Sequence, residues 1–384
     1  MDTNQQIQNA LDALNANPMF HMSLASKELF HSNFLYWLWK LDASNFRKLL
    51  DELSECDDFG KLTPDSIEVK REYQHFDLCV VEKDKPHNVL LVIENKVKSI
   101  PYVEQLNQYS DKLPENCKKI LLTLMQDFLG RDKVEDSSDW TIKNYYDLAN
   151  AIENSYIETK HQIFVNEYIK FIRNLHVLST SWNPDSVLIT QQEFYKDIKD
   201  LRLHDLFGKL FYSQVAAKLK EKLNEEIDEK ELSNISVSSS YSDRGGPLFD
   251  VTIRNLIDTE TEFIIQVQGE CYRHAVARPN ISYADLCIEM NTNDAVQKMW
   301  WPDGYFIKKK RNGNLGYNKF DLKNVKGCFI HKYIKLVDSE SCKVAEGTVN
   351  AKINNLIDYI VKEVEYIYTW KKDMQSKSLF PPYL

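Results

Sequence analysis

The chain has 384 residues, 43% of them hydrophobic, and a formal net charge of −9, a length that suits two domains each with its own core. No run approaches about 18 uninterrupted apolar residues, which excludes a membrane-spanning helix, and the acidic balance argues against indiscriminate binding of nucleic acid. Seven scattered cysteines without a C-x-x-C pair fit reduced thiols in the cytoplasm and argue against structural zinc.

The opening MDTNQQIQNALDAL has neither the basic nor the apolar region of a secretory signal. Residues 23–41, SLASKELFHSNFLYWLWKL, predict a long helix with Ser23 or Ser26 as its N-cap. Glu28 lies on a largely apolar face of that helix, among Leu24, His31, Ser32 and Leu35. A carboxylate there either serves a partner or is a first-turn residue favoured by the helix dipole.

Phe76 to Val81 and Val89 to Ile93 are short apolar runs of the kind buried on both faces of a sheet. Lys83 to Asn88 between them is turn material, so the pair predicts a hairpin. The second run breaks into Glu94-Asn95-Lys96. Strand side chains alternate, so Glu94 and Lys96 share one face, within reach of Asp77 on the neighbouring strand. Converging carboxylates repel, and a hard divalent cation such as Mg²⁺ or Mn²⁺ resolves that. The competing reading is an ordinary strand-end ion pair near the surface. An acid-x-Lys triplet alone says little, because it recurs at Glu68–Lys70, Asp197–Lys199, Asp228–Lys230 and Asp321–Lys323. What singles out Glu94 is the apolar strand before it, Asp77 on the strand before that, and the helix that follows. That helix, 101–112, starts at Pro101 and carries Gln105, Gln108 and Tyr109 on one face.

Asp77, Glu94-Asn95-Lys96 and Gln105-x-x-x-Tyr109 together resemble the PD-(D/E)XK nuclease superfamily, most closely its RecB-type branch. Glu28-x-x-His31-Ser32 followed by Phe34-Leu35-Tyr36-Trp37-Leu38 is similar to an uncharacterised bacterial subgroup. The resemblance covers roughly residues 20–180. Phe76 stands where the family name has Pro, and Asn95 fills the x position. The resemblance implies an α/β fold, a restriction-endonuclease-like core with a mixed central sheet flanked by helices. It implies that Asp77 and Glu94 bind Mg²⁺ (or Mn²⁺), that Lys96 positions the attacking water, and that Glu28 is an auxiliary acid. It further implies that Gln105 and Tyr109 support the site or touch the nucleic-acid backbone. The implied activity is hydrolysis of phosphodiester bonds, with DNA favoured over RNA as partner. A role in mobile-element or phage defence rests on the family alone. A homo-oligomer or a defence-system partner protein is left open, as is a catalytically silent module that only binds nucleic acid or protein.

Further along, residues 119–124 predict a fourth strand, and 144–178 read as helical. Ser179 to Pro184 reads as a loop and divides the chain into a catalytic domain, 1–180, and an accessory α+β domain, 181–384. In the second domain 190–231 reads as helical, 233–336 as β-rich and 346–373 as an amphipathic helix. Strands are expected at 248–253, 263–268, 287–290, 306–308 and 328–332. Gly269 to His274 reads as a polar turn rather than a metal cluster. Residues 303–335 hold nine Lys and Arg against two Asp, a local charge of +7, so the rest of the chain carries −16. Lys308, Lys309, Lys310 and Arg311, with aromatic residues interleaved around them, form a candidate nucleic-acid surface. The bland alternative is a solvated hairpin around Asn312-Gly313-Asn314.

Overall fold

Apolar runs without alternation make strands that must be covered on both faces, and the first half of the chain is organised around two of them. A computed structural model describes residues 3–24, 27–97, 99, 101, 103–124, 140–156, 158–181, 197–241, 247–256, 259–268, 271–278, 310–311, 314–315, 328–335 and 349–376. The chain divides into two compact units, Met1–Gln214 and Val215–Leu384.

In the first unit, β1 (Ile67–Tyr73), β2 (Phe76–Glu82) and β3 (Val89–Lys96) form an antiparallel meander. The expected hairpin is β2–β3, with a register shift between Val80 and Val81. β4 (Lys118–Thr123) and β5 (Trp140–Asn144) add to β3 in parallel, giving the order β1-β2-β3-β4-β5. The sheet is therefore mixed, as a restriction-endonuclease-like core requires. Its central strands are dry: Leu78, Cys79, Val80, Leu91, Val92, Ile93, Ile120, Leu121 and Leu122 are all fully buried.

Helices α1 (Thr3–Ala16), α2 (Pro18–Met22), α3 (Glu28–Leu41) and α4 (Ala43–Ser54) precede the sheet. α3 packs on β1, β2 and β3, and α4 on β4. α6 (Tyr145–Ser155) and α7 (Gln162–Ser181) follow β5, and α7 packs against α1, α2 and α6. α5 (Val103–Ser110) lies on the opposite face of the sheet. The register aligns Val92, Lys119 and Trp140 on that face, and the Trp140 indole donates to the Leu106 carbonyl at 3.3 Å and the Ser110 hydroxyl at 3.0 Å. Local chemistry starts the helices. The Asp42 side chain accepts from the N–H groups of Ser44 and Asn45 at 2.9 Å, and Asn144 and Asp147 form a reciprocal capping box.

Several expectations need correction or refinement. The helix expected over 23–41 begins at Glu28, and its cap, Lys27, makes no side-chain capping bond. Ser23 instead donates to the Phe20 carbonyl at the end of α2, and Leu24 turns left-handed at φ 52°, which breaks the chain direction; Ser26 lies outside the described residues. The region 144–178 is helical as expected, and it forms two helices because Gln162 folds back onto Tyr156 and Thr159. Ser179 to Ser181 belong to α7 rather than to a loop, with the Ser179 hydroxyl bonded to the His176 carbonyl.

The second unit contains the later part of α8 (His204–Glu226), then α9 (Glu229–Leu232), a five-stranded antiparallel sheet, a small hairpin and α10 (Val349–Ser376). The sheet order is β12-β9-β8-β7-β6, formed by β6 (Ile235–Tyr241), β7 (Pro247–Ile253), β8 (Glu262–Gln268), β9 (Cys271–Arg278) and β12 (Cys328–Lys335). Residues 271–278 are thus a strand, not a turn, since β8 and β12 supply ladder partners on both sides. β6, a serine-rich strand, is a further addition. The strands expected at 287–290 and 306–308 lie outside the described residues. β10 (Lys310–Arg311) and β11 (Asn314–Leu315) pair antiparallel, with Arg311 opposite Asn314, as the hairpin reading suggested. α10 is tied down by Tyr368, which donates to the Glu231 carbonyl at 3.1 Å, and by Lys371, which donates to the Asn255 carbonyl at 3.0 Å. Among the described residues no helix is long and apolar enough to cross a membrane.

Candidate active site

β3 ends in three consecutive polar residues that are nonetheless buried: Glu94 is 4% exposed, Asn95 1% and Lys96 9%. Glu94 and Lys96 point to the α5 face and Asn95 to the α3 face, as strand alternation dictates. Lys96 Nζ sits 2.8 Å from Glu94 Oε1, so the ion-pair reading is right about the contact and wrong about its setting, which is buried. Among the described residues, Glu94 Oε2, also buried, has no hydrogen-bond partner. A buried carboxylate oxygen left without a donor is costly.

Asp77 lies beside this pair on β2. Its Oδ2 accepts the backbone N–H of Asn95 at 2.7 Å. Burial first, and then the nearby Glu94 charge, push the Asp77 carboxyl up to about 7. Burial likewise raises the Glu94 carboxyl, with Lys96 opposing it. Burial alone would lower the Lys96 ammonium, but Glu94 holds it above the usual lysine range, so Lys96 stays charged. Glu28 enters from the first turn of α3. Its carboxylate accepts the backbone N–H of Ser99 at 3.2 Å and the Ser99 hydroxyl. The Glu28 charge acts on Asp77, Glu94 and Lys96 alike, so four of the expected residues come together at one end of the sheet.

Gln105 and Tyr109 are one turn apart on α5. Gln105 Nε2 donates to the Tyr109 hydroxyl at 2.9 Å, and the Tyr109 ring packs edge-on against Phe76, the residue preceding Asp77. They buttress the strand end that carries the acid. Lys308 and Lys309 lie outside the described residues, and Lys310 and Arg311 are described only as the backbone of β10.

A hydrogen-bonded polar layer behind the site was not legible in the sequence. Asn95 Nδ2 donates to Ser32 Oγ at 2.7 Å, and the Tyr145 hydroxyl donates to Asn95 Oδ1 at 3.3 Å. Alongside, His31 Nδ1 and the Tyr168 hydroxyl are 2.9 Å apart, and burial drives the fully enclosed His31 down to about 3. The only local signal was polar residues on an apolar helical face.

The donor set suits a hard cation. Among the described residues no three His, Cys, Asp or Glu form a ready-made metal cage. Mg²⁺ needs none: one or two carboxylates with water and substrate oxygens complete its octahedron. Asp77, with a carboxyl hard to ionise, and Glu94, with an orphaned oxygen, are carboxylates that a divalent charge would relieve.

Residues 16–170 match the family model of the PD-(D/E)XK nuclease superfamily. No curated protein and no solved structure matches the chain.

Proposed function

Residues 16–170 belong to the PD-(D/E)XK nuclease superfamily, and from that premise we propose that the protein is a metal-dependent nuclease that hydrolyses phosphodiester bonds, with DNA as the favoured substrate. The observation that carries this reading is the buried Glu94 oxygen without a partner among the described residues, beside a second carboxylate, Asp77, whose pKa burial and Glu94 raise to about 7. Asp77 and Glu94 are the residues that would hold Mg²⁺ or Mn²⁺. A bound divalent ion stabilises charge developing on phosphate oxygens and lowers the pKa of a water ligand.

The chain's own residues do the rest. Lys96 remains an ammonium, so it steers the attacking water or a phosphate oxygen and does not serve as a base. Glu28, anchored by Ser99, supplies a third negative group that helps orient a water. Gln105 and Tyr109 hold the β2 end and offer amide and hydroxyl groups towards a nucleic-acid backbone. In the accessory half, assigned to residues 181–384, Lys308, Lys309, Lys310 and Arg311 contribute phosphate contacts, for which the local charge of +7 is the support.

The test is titration of Mg²⁺ and Mn²⁺ into the purified protein with linear, circular and single-stranded DNA and RNA, wild type beside Glu94→Ala. Metal-dependent cleavage that disappears in a folded Glu94→Ala protein is the expected outcome. Cleavage that persists overturns the assignment of Glu94. Binding without cleavage, unchanged in the variant, replaces it with a silent module of the same fold.

A further inference from the structure

Asn95 makes three hydrogen bonds to three different elements. Its backbone N–H goes to Asp77 on β2, its side-chain N–H to Ser32 on α3, and its side-chain carbonyl accepts from Tyr145 on α6. The residue is 1% exposed and flanked on its own face by Ile93 and Leu91, both fully buried. An apolar side chain would fill such a position without desolvating an amide, which costs free energy unless every polar atom is matched. Here the side-chain oxygen and nitrogen are both matched, and by hydroxyls whose own placement is set elsewhere. Tyr145 is fully buried. Ser32 lies one helical turn after Glu28, on the same face of α3, and its hydroxyl donates to the Glu28 carbonyl at 3.4 Å.

We propose that Asn95 is a positioning residue: by bonding Ser32 and Tyr145 it locks the helix that carries Glu28 to the strand that carries Glu94 and Lys96, and so fixes the spacing of Glu28, Asp77 and Glu94 for a divalent cation. The inference rests on the nuclease reading above. Its logic is mechanical. Glu94 and Lys96 are adjacent to Asn95 in the chain, Asp77 is bonded to its N–H, and Glu28 is tied to it through Ser32. One residue therefore references all four groups to a common point. Groups that orient ligands through such contacts typically change metal affinity or activity by roughly 10- to 100-fold when removed.

The experiment compares wild type, Asn95→Leu, Ser32→Ala, Tyr145→Phe, the Asn95→Leu/Ser32→Ala double variant and Glu94→Ala. Two readouts are taken: Mn²⁺ affinity by calorimetry without substrate, and kcat and KM for metal-dependent cleavage. Asn95→Leu and Ser32→Ala are expected to weaken Mn²⁺ binding and lower kcat about 10-fold or more, with KM nearly unchanged. The double variant should be no worse than Asn95→Leu, since both cut the same link. Tyr145→Phe should fall between these and wild type, as its bond is the longest. Ser32→Ala, which removes one hydroxyl, decides the matter if Asn95→Leu fails to fold. Wild-type affinity and kcat in Ser32→Ala, with Glu94→Ala inactive, overturn the positioning role and leave the nuclease reading intact. Absence of Mn²⁺ binding and cleavage in the wild type overturns both.

Discussion

Asp77 and Asn95 are joined across the β2–β3 pair by a 2.7 Å hydrogen bond from a backbone N–H to a carboxylate that is only about half ionised at neutrality. The bond fixes the oxygen, while burial and Glu94 oppose its charge. The folded-state pKa of about 7 lies above the unfolded value near 3.8. Such a group contributes stability that is full below about pH 4 and is lost as pH rises through 7. Asp77→Asn keeps an oxygen for the Asn95 N–H and removes the charge. Without metal at pH 8 the variant should be more stable than wild type, by about 4 kcal/mol, with the difference nearly gone at pH 4. Denaturant unfolding at the two pH values measures it. Equal stability at both would mean that the Asp77 charge is not held at a cost.

On the proposed assignment of Asp77 as a cation ligand, the same linkage would make divalent binding pH-dependent. Protons compete for Asp77 below about 7, so Mg²⁺ should raise the unfolding temperature more at pH 8 than at pH 6. In Asp77→Asn the Mg²⁺ effect should shrink at both values. Thermal unfolding with and without 5 to 10 mM Mg²⁺, roughly saturating for a site of millimolar affinity, is sufficient. A Mg²⁺ effect independent of pH would place the cation away from Asp77.

What the sequence shows about this site follows from distance along the chain. Glu94 and Lys96 are two residues apart on one strand, and Asp77 is brought to them by a hairpin, so alternation and a turn signal suffice. Glu28 is visible as a carboxylate on an apolar helix face, but its hold on Ser99 spans 71 residues. The Asn95–Tyr145 and His31–Tyr168 contacts join residues 50 and 137 apart, and no local periodicity encodes them. In the second unit, β9 was hidden because Cys271 to His274 mixes polar and aromatic residues without alternation. Pairing with β8 and β12 makes it a strand all the same.

Lys96 provides a test of role rather than of fold. Because Glu94 keeps it protonated, a cleavage rate limited by Lys96 would show no loss of activity from its titration between pH 7 and 9. Lys96→Met should lower kcat by about 100-fold or more while leaving the Mg²⁺ stabilisation in place, since the carboxylates remain. A variant that loses the Mg²⁺ stabilisation as well would show that the ammonium organises Glu94 and does not act on the substrate.

His31 carries the opposite pH signature. Enclosed by Phe30, Tyr145, Tyr168 and Phe171, it stays neutral down to about pH 3. Its folded pKa lies below the unfolded value of 6.5, so its contribution is complete above 6.5 and is lost as pH falls towards 3. From pH 7 to pH 5 the expected loss is about 2 kcal/mol. His31→Phe should be less stable at pH 7, because the Tyr168 hydroxyl loses its partner, yet should fall less between pH 7 and pH 5. Urea midpoints for both proteins at both pH values test this. Parallel slopes would assign the acid sensitivity to other groups.

The turn before Asp77 offers a gain in stability instead of a loss. Gln74 and His75 link β1 to β2, with Tyr73 paired to Phe76, and both adopt left-handed backbone conformations, at φ 53° and 74°. Two-residue hairpin loops need that handedness to match strand twist, and Asn-Gly meets it without Cβ strain. The pair Gln74→Asn/His75→Gly should therefore stabilise the protein by about 0.5–1 kcal/mol. Because the strand register would not change, Asp77 would stay at the same point of β2 and cleavage rates should match wild type. A midpoint gain in urea with unaltered kcat is the expected result. A gain in stability accompanied by slower cleavage would show instead that strain in this turn helps to place Asp77.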